Sequence, residues 1–166
     1  VLAEKDLKKS VLFATICDPK TFHQLQKLAV GEAASIRLGM NYDTLSQTVA
    51  LDVVVKAKGP ITGFMMHNIP GAVYGETISV AVKDKPITIM IATTRYAICE
   101  IHQFTDAGLN FDDYDVIVVK QGYIFPDFKA EAQFYVMSLT DGATPQDTAS
   151  IPFKRIQRPM FPIDEI

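Results

Sequence analysis

Reactive side chains are sparse in this sequence, and their spacing is the first constraint on what the chain can do. Its three histidines, His23, His67 and His102, lie tens of residues apart and form no H-E-x-x-H or H-x-H pair, so none sits at the spacing that holds a metal from one helix or strand. Glu100 is two residues from His102, and residues two apart do not share a helical face. No nucleophile elbow, phosphate-binding loop or dinucleotide fingerprint is present. The acidic run Asp112, Asp113 and Asp115 lacks the interleaved glycine and closing glutamate of a hard-cation loop, and reads as a solvated turn before a strand. Cys17 and Cys99 sit inside apolar runs, with no C-x-x-C pair, as small buried hydrophobes do. No residue stands out as catalytic and none as a metal ligand.

Two cations are better placed. Arg95 and Lys120 each directly follow an apolar strand-like run, where a fixed positive charge can meet an anionic group. Either can equally pair with a neighbouring aspartate. Asp18 and Gly39 also follow strand-like runs and would shape the same rim, because open α/β sheets bind ligands at the carboxyl ends of their strands.

The elements that must position these residues follow from periodicity. Ser10 to Cys17 (SVLFATIC) is an apolar, β-branched run ending at Asp18-Pro19, which predicts a buried strand and then a helix capped by Asp18, running from Pro19 to about Val30 and stopped by Gly31. Ala33 to Leu38 predicts a short strand before the loop Gly39-Met40-Asn41. Thr48 to Lys58 alternates with period two and is expected to end at Lys58-Gly59-Pro60. Ala72 to Val82 alternates again, and Lys83-Asp84-Lys85 turns the chain into Ile87 to Thr93, so the middle of the chain predicts an antiparallel meander.

Further on, Cys99 to Gly108 predicts a helix, Val116 to Val119 a continuous buried strand, and Asp127 to Leu139 a helix burying Phe128, Ala132, Phe134 or Tyr135, and Leu139. Pro145, Pro152, Pro159 and Pro162 then predict an extended tail whose Phe153, Ile156, Met160 and Phe161 lie as a strap over the domain or a neighbour. At the other end Leu2, Leu7 and Val11 among charged residues have the spacing of the closing half of an amphipathic helix. The expected class is α/β: a mixed sheet with parallel strands and an antiparallel meander, helices packed on it, and an extended proline-rich tail.

Composition agrees with one compact domain over residues 1–166. At 48% hydrophobic and 21% charged the chain is an ordinary globular protein. A net charge of -3 without a basic cluster argues against nucleic acid as a partner. The longest uncharged apolar stretch, about Ile87 to Thr94, is far short of the roughly 20 residues that span a bilayer. No charged-then-apolar leader opens it, leaving a cytoplasmic location as the expectation.

The runs VIVVKQGYIFPDF (Val116 to Phe128) and SLTDGATPQDTASIPFKRIQRPMFPID (Ser138 to Asp164) resemble the carboxyl-terminal domain of the microcystinase C, or MlrC-like, metallopeptidases. FATICDP, Leu38-Gly39 and Thr93-Thr94-Arg95 agree more loosely. The resemblance implies a partner, an amino-terminal metallopeptidase domain holding zinc and most of the catalytic apparatus of an amide hydrolase acting on a small peptide or amide. No cofactor is then expected in these 166 residues, which would be inactive alone. It also implies a substrate cleft toward which Lys120, Tyr123 and Arg95 reach, with Asp18 and Gly39 at its rim.

Many members read Leu-Gly-Gly-Lys where this chain has Leu38-Gly39-Met40-Asn41, and Lys-Ser with a downstream His-Phe-Arg where it has Lys120-Gln121-Gly122-Tyr123-Ile124-Phe125-Pro126. The missing lysine, histidine and arginine separate its expected substrate from that of the toxin-degrading members. Two other readings fit the residues: a structural module whose tail clasps a second subunit in a homo-oligomer, and an independent small-molecule-binding domain.

Overall fold

A computed structural model describes residues 6–39, 47–63, 69, 71–138 and 147–165. The chain divides into two compact units, Val1–Ala132 and Gln133–Ile166.

The first unit is built on a six-stranded mixed sheet. Its strands are β1 (Val11–Cys17), β2 (Ala33–Leu38), β3 (Val49–Gly63), β4 (Ala72–Val82), β5 (Ile87–Ala92) and β6 (Val116–Val119), in the order β2-β3-β4-β5-β1-β6. β2 to β5 form the antiparallel meander, while β1 runs parallel to both β5 and β6. Three helices, α1 (Pro19–Gln26), α2 (His102–Asp106) and α3 (Pro126–Glu131), accompany the sheet. This is the mixed α/β architecture expected from periodicity.

Period-two alternation divides the core between the two faces of the sheet. Ile87, Ile89 and Ile91 of β5 join Phe22 and Leu25 of α1 with Ile36, Val53, Val55 and Val80. Met90 and Ala92 join Leu12, Ala57 and Ile61 beneath Phe104 of α2 and Phe128 of α3. All six residues of β5 are buried, which explains why this strand reads as a continuous apolar run. Phe104 is fully buried, and burial of a side chain of that size contributes roughly 2–3 kcal/mol.

Several boundaries differ from the sequence reading, each for a tertiary reason. β3 continues through Gly59 and Pro60 to Gly63. Its pairing with β2 stops at Val54, so beyond that point it is a sheet edge, where proline is tolerated. Gly59 is required by close approach: a Cβ there would lie 2.5 Å from the Asp106 carbonyl oxygen and 2.7 Å from Ala107 Cα.

α1 stops at Gln26, where Lys58 Nζ donates to the Gln26 carbonyl at 2.8 Å and to the Leu28 carbonyl at 2.5 Å and satisfies the helix end. α2 begins at His102 instead of Cys99, because the Cys99 and Glu100 amides donate to the side chain of Gln103. β6 is only partly buried, since it lies at the sheet edge. α3 ends at Glu131; Phe134 and Tyr135, expected inside its buried face, are 81% and 50% exposed, and Leu139 lies outside the described residues. Residues 6–10 are not helical and Val11 opens β1, so the expected closing half-helix does not extend into them.

Among the described residues of the second unit a single turn of 3-10 helix at Thr148–Ser150 is the regular element. Near the end of the chain Arg158 pairs with Asp164, whose carboxylate also accepts the Met160 amide at 2.8 Å.

Candidate functional site

Three parallel strands end side by side along one edge of the sheet: β5 leads to Thr93-Thr94-Arg95, β1 to Asp18, and β6 to Lys120-Gln121. The register carries this directly, because Cys17 pairs with Ala92 and Ala14 with Val119. Backbone bonds lock the exits, Asp18 N–H to the Ala92 carbonyl at 3.1 Å and Lys120 N–H to the Ala14 carbonyl at 3.2 Å. The loops leaving β5 and β6 are joined by Gln121 Nε2, which donates to the Ile98 carbonyl, and by the Ile101 amide donating to Asp127 at 2.6 Å.

The five residues singled out in the sequence divide between this rim and the interior. Asp18 and Gly39 come together, with the Gly39 amide donating to Asp18 Oδ2 at 2.9 Å. The Asp18 side chain is completely buried and also accepts from the Thr21 amide at 3.0 Å and the Thr21 hydroxyl at 2.9 Å. Three donors on one buried carboxylate make it a structural tie and offset the cost of burying its charge. Gly39, at φ 93°, occupies backbone space that side-chain-bearing residues rarely enter.

Arg95 and Lys120 are exposed at the ends of β5 and β6. The Lys120 ammonium makes no ion pair among the described residues, which disfavours the reading in which a local aspartate neutralises it. Tyr123 is 65% exposed and stacks on Phe125, with ring centroids 4.9 Å apart. Phe125 is buried in the core, so the Tyr123 ring is steadied while its phenol faces solvent.

Other polar groups here had no signal at their own sequence positions. Gln103, 1% exposed, accepts from the Cys99 and Glu100 amides at 2.7 and 2.9 Å and donates to the Thr62 carbonyl at 2.5 Å. It thereby fixes the loop between β5 and α2 against β3. Tyr74 and Tyr96 stack nearly parallel, centroids 4.4 Å apart. Burial, and then the neighbouring Tyr74, raises the Tyr96 phenol above its ordinary value. Burial, followed by the charge of Glu100, pushes the Cys99 thiol up to about 11.

An open hollow of about 630 Å³ lies between α2, the 3-10 turn Phe111–Asp113 and α3, lined by Glu100, His102, Asp112, Asp127 and Glu131 among others. None of Lys120, Tyr123, Arg95, Asp18 or Gly39 lines it. Two of its polar side chains have partners: Asp127 accepts the Ile101 amide, and His102 Nε2 lies 3.8 Å from Asp106, which is outside the lining. Among the described residues no three His, Cys, Asp or Glu side chains converge as metal donors. Asp115, in the acidic run before β6, instead holds the Ser10 amide and hydroxyl at 2.8 and 2.9 Å and pairs with Lys9. No helix among the described residues is long and apolar enough to cross a membrane.

The fold and rim define an α/β domain with a mixed sheet whose parallel strands deliver polar residues to a common edge. The chain belongs to the family described as "MlrC C-terminus", whose model matches residues 1–155. Among solved structures its fold is similar to a crystal structure described as "Putative metallopeptidase from Mesorhizobium sp. BNC1", with a TM-score of 0.73 and 15% sequence identity. That similarity covers 99% of this chain and 33% of the other, so the chain spans about one third of that structure's length. No curated protein matches the sequence.

Proposed function

We propose that residues 1–166 form a carboxyl-terminal domain that serves as one wall of a substrate cleft in a larger metallopeptidase-type amide hydrolase. The zinc and general base belong to an amino-terminal domain of the same protein. Membership of the MlrC C-terminus family and a structural neighbour three times as long support this division of labour. The described residues do not fit a metal of their own, since no three donors converge among them.

The observation that carries the reading is the rim itself. Lys120 and Arg95 stand exposed just past the ends of the two strands that flank β1, and Tyr123, steadied on Phe125, follows Lys120 in the chain by three residues. Fixed cations and a phenol of this kind bind a substrate carboxylate or stabilise the oxyanion that develops on an amide carbonyl. Asp18 and Gly39 act beneath the rim by fixing the exits of β1 and β2.

The test is Lys120→Ala in the whole protein, measured by kcat and KM on short linear peptides. Loss of a charge-assisted contact of about 1.5–3 kcal/mol raises KM, or lowers kcat/KM, by roughly ten- to a hundredfold. Unchanged kinetics in both Lys120→Ala and Arg95→Ala would remove the rim from the substrate site.

A further inference from the structure

We infer that β6 is completed on its outer side by a strand from the remaining part of the whole protein, an inference that rests on the two-part reading above. β6 closes the sheet order, and among the described residues its strand neighbour is β1 alone. The Val116 and Lys120 amides donate to the Ser10 and Ala14 carbonyls at 3.0 and 3.2 Å. The period of two then turns the N–H and C=O groups of Ile117 and Val119 outward, where no backbone group among the described residues pairs with them.

The two edges of the sheet are built differently. At β2, the opposite edge, Gln24 Nε2 donates to the Ser35 carbonyl at 3.0 Å and the Thr21 hydroxyl to the Arg37 carbonyl at 3.2 Å. Side chains of α1 thus occupy outward carbonyls of β2, and Arg37 adds an exposed charge. Such devices blunt an edge against further pairing. β6 has none of them: Val116-Ile117-Val118-Val119 contains no charge and no proline, and its register to β1 runs without a bulge. A continuous apolar run is the sequence of a parallel strand covered on both faces. Ile117 and Val119 pack on the core beneath α2 and α3, while Val116, on the opposite face, is 44% exposed. The strand carries an interior sequence at an edge position.

The occupant follows from size. β6 offers four residues, whereas a stable interface between separate molecules takes about 20–30 residues a side. A second copy held through this edge alone falls short of that. A strand of the same polypeptide escapes the requirement, because linkage makes the contact intramolecular and raises its effective concentration. The neighbour that shares this fold over 99% of the chain is about three times as long, which leaves ample further chain to supply the strand. Since β6 leads directly into Lys120, a strand laid beside it also brings that polypeptide next to the rim.

Amide hydrogen exchange on the whole protein, resolved to single residues, tests this without reference to activity. The expected result is exchange at Ile117 and Val119 slowed by roughly a hundredfold or more relative to an unstructured chain, equally at low and high protein concentration. Ile117→Pro removes an outward N–H and leaves the donors to β1 in place; protection at Val119 is then lost while the amides of β5 stay protected. If β5 loosens too, Val116→Lys puts a charge on the exposed start of the edge and is read in the same way. The segment that loses protection together with Val119 is the covering strand, and it is expected outside residues 1–166.

Fast exchange at both amides in the wild type, or protection at Val119 that survives either variant with β5 intact, overturns the inference. Protection that grows with concentration assigns the edge to a second copy, and a covering segment within residues 1–166 assigns it to this domain; each overturns the occupant. The Lys120→Ala kinetics read the rim and not this edge, so failure of the cleft wall and failure of the added strand are separately visible.

Discussion

The Asp18 carboxylate accepts the backbone N–H of Gly39 at 2.9 Å, tying the end of β2 to the junction of β1 and α1 across 21 residues of sequence. The same side chain caps α1 through the Thr21 amide and hydroxyl. One buried group therefore sets both the start of a helix and the exit of a strand.

Removing it should unfold the domain more readily than loss of an ordinary cap, which costs about 1 kcal/mol. Asp18→Ala leaves the Thr21 and Gly39 amides without this acceptor, while the Thr21 hydroxyl keeps the Arg37 carbonyl at 3.2 Å, and the expected cost is about 2–4 kcal/mol. Asp18→Asn keeps a capping oxygen and should lose roughly half as much. Urea denaturation midpoints at constant m-value give the comparison, and equal midpoints for the two variants would contradict it.

The contact between β3 and α2 gives a second prediction. A Cβ at Gly59 meets the backbone of Asp106 and Ala107, which cannot move aside as a side-chain tip can. Gly31, at φ 93°, has nothing within 4 Å of a Cβ, so an alanine there pays only for its left-handed backbone, about 1 kcal/mol. Gly59→Ala should therefore lower the thermal midpoint clearly further than Gly31→Ala. A smaller loss in Gly59→Ala would mean that α2 does not rest on this strand.

The difference between these two glycines shows where the sequence was legible. Asp18, Pro19 and the strand before them act within a few residues, so cap, first turn and strand end could all be read locally. The exposed positions of Lys120 and Arg95 past strand ends are legible for the same reason, each standing after an apolar run. Pro60 does not end β3 as its type predicts, because its tolerance depends on where β2 stops pairing. The helix after β5 is shorter than its periodicity predicts because Gln103 takes the Cys99 and Glu100 amides. The inward role of Asp18 depends on Gly39, far away in the chain, and no local pattern announces it.

Cysteine chemistry gives a pH-dependent prediction. The Cys99 thiol, buried and pushed up to about 11, carries almost no thiolate at pH 8, and the thiolate is the reactive form. In the folded protein Cys99 should resist iodoacetamide at pH 8, react faster as pH rises toward 11, and react freely in denaturant. Cys17 is only half-buried and should be alkylated first. Mass-spectrometric mapping of the labelled cysteines reads both, and early labelling of Cys99 at pH 8 would contradict its burial.

The most direct measurement is an anomalous-scattering map at the zinc edge from crystals of the whole protein with an uncleavable linear peptide. The expected map places zinc on side chains outside residues 1–166, with the peptide against the edge formed by Arg95, Lys120 and Tyr123. Zinc coordinated solely by side chains of this domain, or a peptide bound away from that edge, would contradict the cleft-wall function.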